Sequence, residues 1–156
     1  MAYTQPPHLT GEELESLLTE AIFARFCSFN PDGTIHAVPV NFKYRDGHIL
    51  VVTPEASRKA RNVARDKTVT VLVDVVGERL SDFKGAIIYG NADIKETTLS
   101  EMMDVGEVWM PEDKVEAWSK GLMALSDWVM ISVEPERTAS FDYAKDEAFA
   151  AATQRD

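Results

Sequence analysis

The stretch that decides the fold is residues 23–53, FARFCSFNPDGTIHAVPVNFKYRDGHILVVT. It contains three apolar segments, residues 23–29, 34–44 and 48–53, and each of the two short connections between them includes Asp-Gly. Asp-Gly between segments that favour β-structure is typical of the tight turns of β-hairpins. The stretch therefore predicts three antiparallel strands in a meander.

Pro39 lies in the middle of the second predicted strand, where it has no N–H to donate to a neighbouring strand. We therefore expect this strand to be interrupted, to lie at an edge of the sheet, or to turn towards a ligand at this point.

The rest of the chain adds strands and helices. A capping box and a helical spacing of leucines predict an amphipathic helix over Thr10–Ile22, and helical spacing returns between residues 98 and 125. The further predicted strands are residues 68–74, 84–94 and 128–133, with Pro135 ending the last one and 138–142 continuing it. The glycines of the fifth strand predict a bend or a bulge. Residues 144–156 are predicted to fray.

These elements predict one domain, residues 1–156, that is mostly β with helices (α+β). Its architecture would be a six-stranded antiparallel β-barrel with packed helices.

Composition excludes several classes of function. The formal net charge of −10 argues against binding to nucleic acid or to anionic membranes. No apolar run approaches the roughly 20 residues of a membrane helix, and Met1–His8 has no secretory signal pattern. The single Cys27 excludes an internal disulfide, so we expect a cytoplasmic protein.

Residues 53–67 form a basic segment in this acidic chain. The segment follows an apolar strand and predicts a helix that begins at Thr53-Pro54 or at Ser57. The free N–H groups and the dipole at a helix N-terminus favour an anion such as phosphate. The alternative is a solvated helix face. Its cations are Arg58, Lys59, Arg61, Arg65 and Lys67.

The sequence offers no side chain with an evident catalytic role. The three histidines, His8, His36 and His48, lack metal-ligand spacing, so no metal site is predicted. Cys27 lies in an apolar strand, where a thiol is usually inert, and glycine-rich nucleotide motifs and a serine nucleophile elbow are absent. A barrel with an anion site and no catalytic residue favours chemistry supplied by a cofactor.

The run Val38–Asn62 resembles the flavin-binding region of the pyridoxamine 5′-phosphate oxidase-like split β-barrels. Arg25, the turn at 30–33 and the glycine-bearing strand Gly85–Gly90 also fit, so the resemblance covers roughly residues 10–95. Its most specific piece is Thr53 followed by Ser57-Arg-Lys.

The resemblance implies a homodimer that binds FMN between its subunits and transfers a hydride through flavin N5 to or from a small molecule. In that pattern Arg58 and Lys59 bind the phosphate, and Ser57 and Thr53 add hydroxyl contacts. The segment from Val38 to Lys43 lies along the isoalloxazine with backbone groups facing the ring. The implied FMN-binding residues are Val38, Pro39, Val40, Asn41, Phe42, Lys43, Val52, Thr53, Ser57, Arg58 and Lys59.

The later cations of the basic segment, Arg61, Arg65 and Lys67, are interpreted as its solvated remainder. Three departures argue against oxidation of vitamin B6: Val38 stands where the oxidase has arginine, Lys84-Gly85 where glutamine is expected, and the C-terminal Arg-x-His motif has no match. The same segment is also similar to the deazaflavin branch. The alternatives are therefore a reductase that uses the deazaflavin coenzyme F-420, and a non-catalytic flavin- or haem-binding module.

Overall fold

A curled antiparallel β-sheet forms the centre of the molecule in the computed structural model, which describes residues 6–153. The strands are β1 (Phe23–Phe29), β2 (Ile35–Asn41), β3 (Lys43–Arg45), β4 (His48–Pro54), β5 (Thr68–Val75), β6 (Lys84–Glu96) and β7 (Trp128–Asp142). Their order across the sheet is β2-β1-β5-β6-β7-β4-β3. Because the two outer strands follow each other along the chain, the sheet curls into a half-barrel. The predicted α+β class and split-barrel architecture are confirmed.

The predicted number of six strands is wrong, because the second predicted strand divides at Phe42 and the sheet has seven. Residues 35–41 pair with β1, whereas residues 43–45 pair with β4. Phe42 itself is fully buried, and its N–H donates to the carbonyl of Ile22 at 3.3 Å. The chain thus leaves one edge of the sheet and joins the other within a single residue.

Pro39 lies within β2, opposite Arg25 of β1. Since β2 is an edge strand, the expectation of an edge position for this proline is confirmed. An edge strand tolerates a missing N–H because only one of its sides is paired.

The strands bury one face in a common core. In β1, buried Ala24 and Phe26 alternate with the exposed side chains of Phe23 and Arg25. This period of two places every second residue inside the curl of the sheet. A smaller cluster, formed by Leu50 with residues of the helical layer, lies on the outer side of β4.

The two longest strands, β6 and β7, stay paired along their whole length, so the predicted break at Pro135 is wrong. Tyr89 lies opposite Arg137 and Gly90 opposite Pro135, which leaves Glu136 as an extra residue on β7. Such a β-bulge accommodates a proline without ending the strand. The bulge predicted from the glycines of the fifth strand is confirmed.

Five helices lie in the part of the chain that the structure describes: α1 (Gly11–Glu20), α2 (Arg58–Arg65), α3 (Leu99–Gly106), α4 (Glu112–Met123) and α5 (Glu147–Thr153). The predicted capping box of α1 is confirmed: the Thr10 hydroxyl accepts from the N–H of Glu13, and the Glu13 carboxylate accepts from the N–H of Thr10. None of these helices is both long and apolar enough to cross a bilayer.

The C-terminal segment 144–156, which was expected to fray, contains α5 instead. The ring of Phe149 packs against that of Tyr143 with centroids 4.8 Å apart, which attaches the helix to the end of β7. Residues 154–156 of this segment lie outside the described residues, as do residues 1–5 of the N-terminal segment that lacks a secretory signal pattern.

Replacement of Gly90 by alanine is expected to destabilise the protein by about 1–3 kcal/mol, because overpacking of this size forces the backbone to shift. A Cβ at Gly90 would lie 2.2 Å from the carbonyl oxygen of Glu134 on the neighbouring strand. The measurement is the midpoint of urea unfolding at unchanged slope.

The matched control is Gly121→Ala in α4, where a Cβ would meet nothing within 4 Å. Alanine is the better helix former by up to about 1 kcal/mol, so this variant should be as stable as the wild type or more so. Equal losses from both variants would contradict a specific close approach at the bulge.

Candidate functional site

The end of β4 and the start of α2 bring together the residues predicted to bind a phosphate. Thr53 is buried and points inward from β4. Its hydroxyl donates to the Ser57 hydroxyl at 3.1 Å, and Ser57 Oγ in turn accepts from the N–H of Ala60 at 3.3 Å. Ser57 is therefore the N-cap of α2, which decides between the two predicted helix starts.

The first turn of α2 carries positive charges, which are unfavourable next to the positive end of the helix dipole. Arg58 and Lys59 occupy its first two positions, and no acidic residue is present there. A cation next to the positive end of a helix dipole is destabilising by about 0.3–1 kcal/mol at an exposed position. The other four described helices carry acidic residues in their first turns: Glu12 and Glu13, Glu101, Glu112 and Asp113, and Glu147.

The later cations of the segment are bound to protein groups. Arg61 donates from Nε and Nη2 to the carbonyl of Ala56, at 3.1 and 2.7 Å. Arg65 donates to the carbonyl of Phe29, and Lys67 forms an ion pair with a carboxylate of β6. These three side chains are exposed, as expected for a solvated remainder of the segment. Each of them, however, also forms a hydrogen bond or an ion pair with another protein group.

The side chains of Arg58 and Lys59 differ from those of the later cations, because neither forms a hydrogen bond or an ion pair with any residue between 6 and 153. Lys59 is half-buried, and this burial lowers the pKa of its ammonium group below the usual value. Arg58 faces the turn between β1 and β2, where its charge adds to the hydrogen bonds from Thr34 that lower the pKa of Asp32. Two unpaired cations at a free helix N-terminus form an arrangement suited to a phosphate group.

Asn62, which no sequence pattern singled out for a role, fixes α2 in place. Asn62 is buried, and its amide nitrogen donates to Ser28 Oγ and to Asn30 Oδ1, both at 3.1 Å. These bonds attach the helix to the end of β1. The signal in the sequence was an uncharged amide next to the apolar Val63, in a helix whose other polar residues are all cations.

The segment predicted to lie along the ring has its side chains divided between two faces. Val40 and Phe42 are buried in the barrel core, and Val38 packs against it. Pro39 and Asn41 alternate with them on the outer face. Since β2 is an edge strand, its outer backbone edge has no strand partner within the described residues. Any contact of this segment with a flat ring would therefore depend largely on backbone groups.

The two remaining predicted residues lie beneath the helical layer. The Lys43 ammonium donates to the side chain and the carbonyl of Asp104 on α3, at 2.7 and 3.0 Å. Val52 is half-buried on the outer side of β4 and packs in the cluster that contains Trp109. The structure thus places Lys43 and Val52 on the outer face, whereas Thr53 points inward.

Three cavities of the single chain lie near the predicted residues or beside α1. A cavity of about 510 Å³ lies between α1 and the ends of β5 and β6, and two of about 370 and 340 Å³ flank Glu55. None of these is lined by Ser57, Arg58 or Lys59. Over residues 6–153, no group of three or more histidine, cysteine or acidic side chains is placed to hold a metal ion.

A family model described as pyridoxamine 5′-phosphate oxidase matches residues 10–141 of the chain. Among curated proteins, none has a significantly similar sequence.

Solved structures share the fold at low identity. An FAD-binding protein from Mesorhizobium loti is 18% identical, with a TM-score of 0.63 over 86% of this chain and 93% of its own. The haem storage protein HutZ from Vibrio cholerae is 16% identical, with a TM-score of 0.69 over 86% and 97%. An F-420 reductase is 19% identical, with a TM-score of 0.64 over 83% and 98%. Proteins named for three different ligands share this fold, so the fold alone does not identify the ligand.

Replacement of Lys59 by methionine is expected to raise the urea midpoint of the ligand-free protein at pH 7, because it removes a charge that is half-buried without a partner. Since the pKa of Lys59 is lower in the folded than in the unfolded state, the unfolded state binds more protons between the two values. Stability should therefore rise as pH increases through the lowered pKa, and the variant should lose this rise.

Arg58→Met is the matched control, because arginine stays charged over this range and the pH-dependent rise should remain. A lower urea midpoint for Lys59→Met than for the wild type at pH 7 would mean that Lys59 stabilises the ligand-free fold. That result would contradict its assignment to an anion-binding site.

Proposed function

The chain belongs to the pyridoxamine 5′-phosphate oxidase family, and on this basis we propose that it is an FMN-dependent oxidoreductase acting on a small molecule. The observation that carries the proposal is the pair Arg58 and Lys59 at the N-terminus of α2, whose side chains form no hydrogen bond or ion pair within residues 6–153. A dianionic phosphate would neutralise both cations and accept hydrogen bonds from the first turn of the helix.

The residues fit FMN in their chemistry. Arg58 and Lys59 would hold the phosphate, and the Ser57 hydroxyl would donate a further hydrogen bond, oriented by the Thr53 hydroxyl that donates to Ser57 Oγ. The edge of β2 would present backbone groups to the ring, since one side of this strand is unpaired within the described residues. When bound, FMN supplies a hydride-transferring centre at N5, so the protein needs no catalytic side chain of its own.

The substrate in this proposal is not a B6 vitamer. Val38 has an apolar side chain that packs against the core where the oxidase itself carries an arginine, and the Arg-x-His substrate motif has no match in the sequence. We also place the protein in the cytoplasm, because its one cysteine, Cys27, is a free thiol.

A second candidate is a reductase that uses the deazaflavin coenzyme F-420. The observation that favours it is the segment Ser57–Asn62, which is similar to the deazaflavin branch of these split barrels. The same cations would serve, because this coenzyme also carries phosphate.

We expect the purified protein to be yellow and to release FMN on denaturation. Arg58→Ala combined with Lys59→Ala should weaken FMN binding about a hundredfold or more, since a hydrogen bond to a charged group contributes about 1.5–3 kcal/mol. The measurement is quenching of FMN fluorescence in a titration of the apoprotein.

The matched control is Arg65→Ala with Lys67→Ala, which removes the same charge from the same segment and should leave FMN affinity within a few-fold of the wild type. Equal losses from both pairs would indicate a diffuse electrostatic patch. A colourless protein that binds F-420 but not FMN would favour the second candidate. A Soret band, or bound flavin that no electron donor reduces, would favour a non-catalytic module.

We further propose that a second copy of the chain covers the outer face of β1 and β2. This face exposes large apolar side chains: Ile35 is 65% exposed, Phe23 56% and Phe29 39%. They alternate with core residues and therefore lie on one side of the sheet. Phe29 lies opposite Ile35, next to the half-buried Cys27, whereas Phe23 lies at the other end of β1, beyond the charged Arg25. The contiguous apolar patch is therefore that of Cys27, Phe29 and Ile35. An exposed apolar patch of this kind is typical of a protein interface.

Ile35→Asp is expected to convert a dimer into a monomer, because it places a charge within the apolar patch. Light scattering coupled to size-exclusion chromatography measures the mass. Leu125→Asp is the matched control: Leu125 is 81% exposed after the end of α4, away from the patch, and its replacement should leave the dimer intact. A monomeric wild type would contradict the proposal.

A further inference from the structure

Asp104 connects the helical layer to β3. The first residue of β3, Lys43, is also the last residue of the ring-binding segment, Val38–Lys43, which is proposed to lie along the flavin ring. Oδ1 of Asp104 accepts from the Lys43 ammonium at 2.7 Å, and its Oδ2 accepts from Nη1 of Arg45 at 2.5 Å. Its backbone carbonyl accepts a further hydrogen bond from Lys43 at 3.0 Å. Both carboxylate oxygens are therefore occupied by cations of β3.

The ion pairs are partly shielded from water. The Lys43 and Asp104 side chains are 23% and 27% exposed, whereas Arg45 is 48% exposed. Solvent screens such a pair less than it screens the exposed pair of Lys67 and Asp93, whose side chains are 66% and 77% exposed. Because Lys43 is less exposed than Arg45, its ion pair with Asp104 is the less screened of the two.

The position of Lys43 in the sheet places this contact next to the apolar wall beneath α3. Lys43 lies opposite Leu50 of β4, and both are on the outer side of the sheet. Leu50 packs with Val52, Val105 and Trp109. The ammonium group of Lys43 thus lies between the end of the ring-binding segment and the Met- and Trp-bearing helices.

We propose that Asp104 is a positioning residue that holds the Lys43 ammonium at the ring-binding segment and limits the positive charge there. The inference rests on the proposed function, because it takes a flavin ring to lie along Val38–Lys43. Lys43, Arg45 and Asp104 together carry a net charge of +1; a second carboxylate, that of Asp46, lies 3.9 Å from Nε of Arg45 but is 92% exposed, so solvent screens it more strongly. Without the Asp104 carboxylate the charge of the three groups would be +2, and Lys43 would lose its charged acceptor and keep only the backbone carbonyl of residue 104.

The charge next to a flavin tunes its reduction potential, since a nearby cation favours the reduced and more electron-rich state. Asp104→Asn keeps the shape of the side chain and removes its charge. We therefore expect a more positive midpoint potential of bound FMN in this variant. Arg45→Gln removes one positive charge and keeps the Asp104 carboxylate, so the midpoint potential of bound FMN should become more negative. Asp104→Glu should restore a value near that of the wild type.

A measurement without cofactor tests the anchoring itself. Acetylation of the ligand-free protein with limiting reagent, followed by mass spectrometry, reports how accessible and nucleophilic each lysine is. Acetylation of Lys43 should increase several-fold in Asp104→Asn, relative to Lys114 as internal reference. It should change little in Arg45→Gln, where the bond between Lys43 and Asp104 remains.

The matched control is Asp93→Asn, which makes the same change in net charge and breaks the surface ion pair with Lys67. It should change neither the FMN potential nor the acetylation of Lys43.

If the wild type binds FMN but the midpoint potential of bound FMN is the same in Asp104→Asn as in Asp93→Asn, the inference is wrong while the proposed function stands. A wild type that binds no FMN contradicts both. If Asp104→Asn does not fold, an unchanged potential in the exposed Arg45→Gln variant overturns the inference.

Discussion

The constraint on which the rest of the structure depends is the closure of the sheet through Phe42. The residues before it complete one edge and the residues after it complete the other, so the sheet curls around the buried ring of this phenylalanine. The closure brings the start of α2, which follows β4, to the end of the barrel where the β1–β2 turn lies. Asn62 then attaches the helix to Ser28 and Asn30. The position of the candidate phosphate site follows from these contacts.

Electrostatics separate the part of the basic segment that maintains the fold from the part suited to a ligand. Arg61 and Arg65 donate to backbone carbonyls, and those bonds hold α2 and its preceding loop. Arg58 and Lys59 oppose the helix dipole, and their side chains form no hydrogen bond or ion pair within residues 6–153. A fold retains such a destabilising arrangement where function requires it. Proteins with the same fold are named for an FAD, a haem and an F-420 function. Because the fold does not identify the ligand, the two cations without a hydrogen bond are the more specific observation.

The helical layer of α3 and α4 follows the segment whose motifs carry the resemblance, lies within the residues that the family model matches, and covers the outer side of β4. Trp109 contacts Trp118 edge to face at 5.6 Å and packs over Leu50. The methionines and tryptophans therefore fill the contact between this layer and the sheet. Asp104 adds the polar link to Lys43 and Arg45. This layer therefore borders Lys43, the last residue of the segment proposed to lie along a flavin ring.

The sequence by itself determined the order of strands and helices, the capped start of α1, the turns and the grouping of Thr53, Ser57, Arg58 and Lys59. All of these depend on neighbours within a few residues, where spacing and turn chemistry decide the outcome. The division at Phe42, the continuous strand through Pro135, the role of Asn62 and the contact of Lys43 with Asp104 were decided only by tertiary structure. Each depends on a partner that is distant in the chain, and a pattern along one segment carries no information about such a partner.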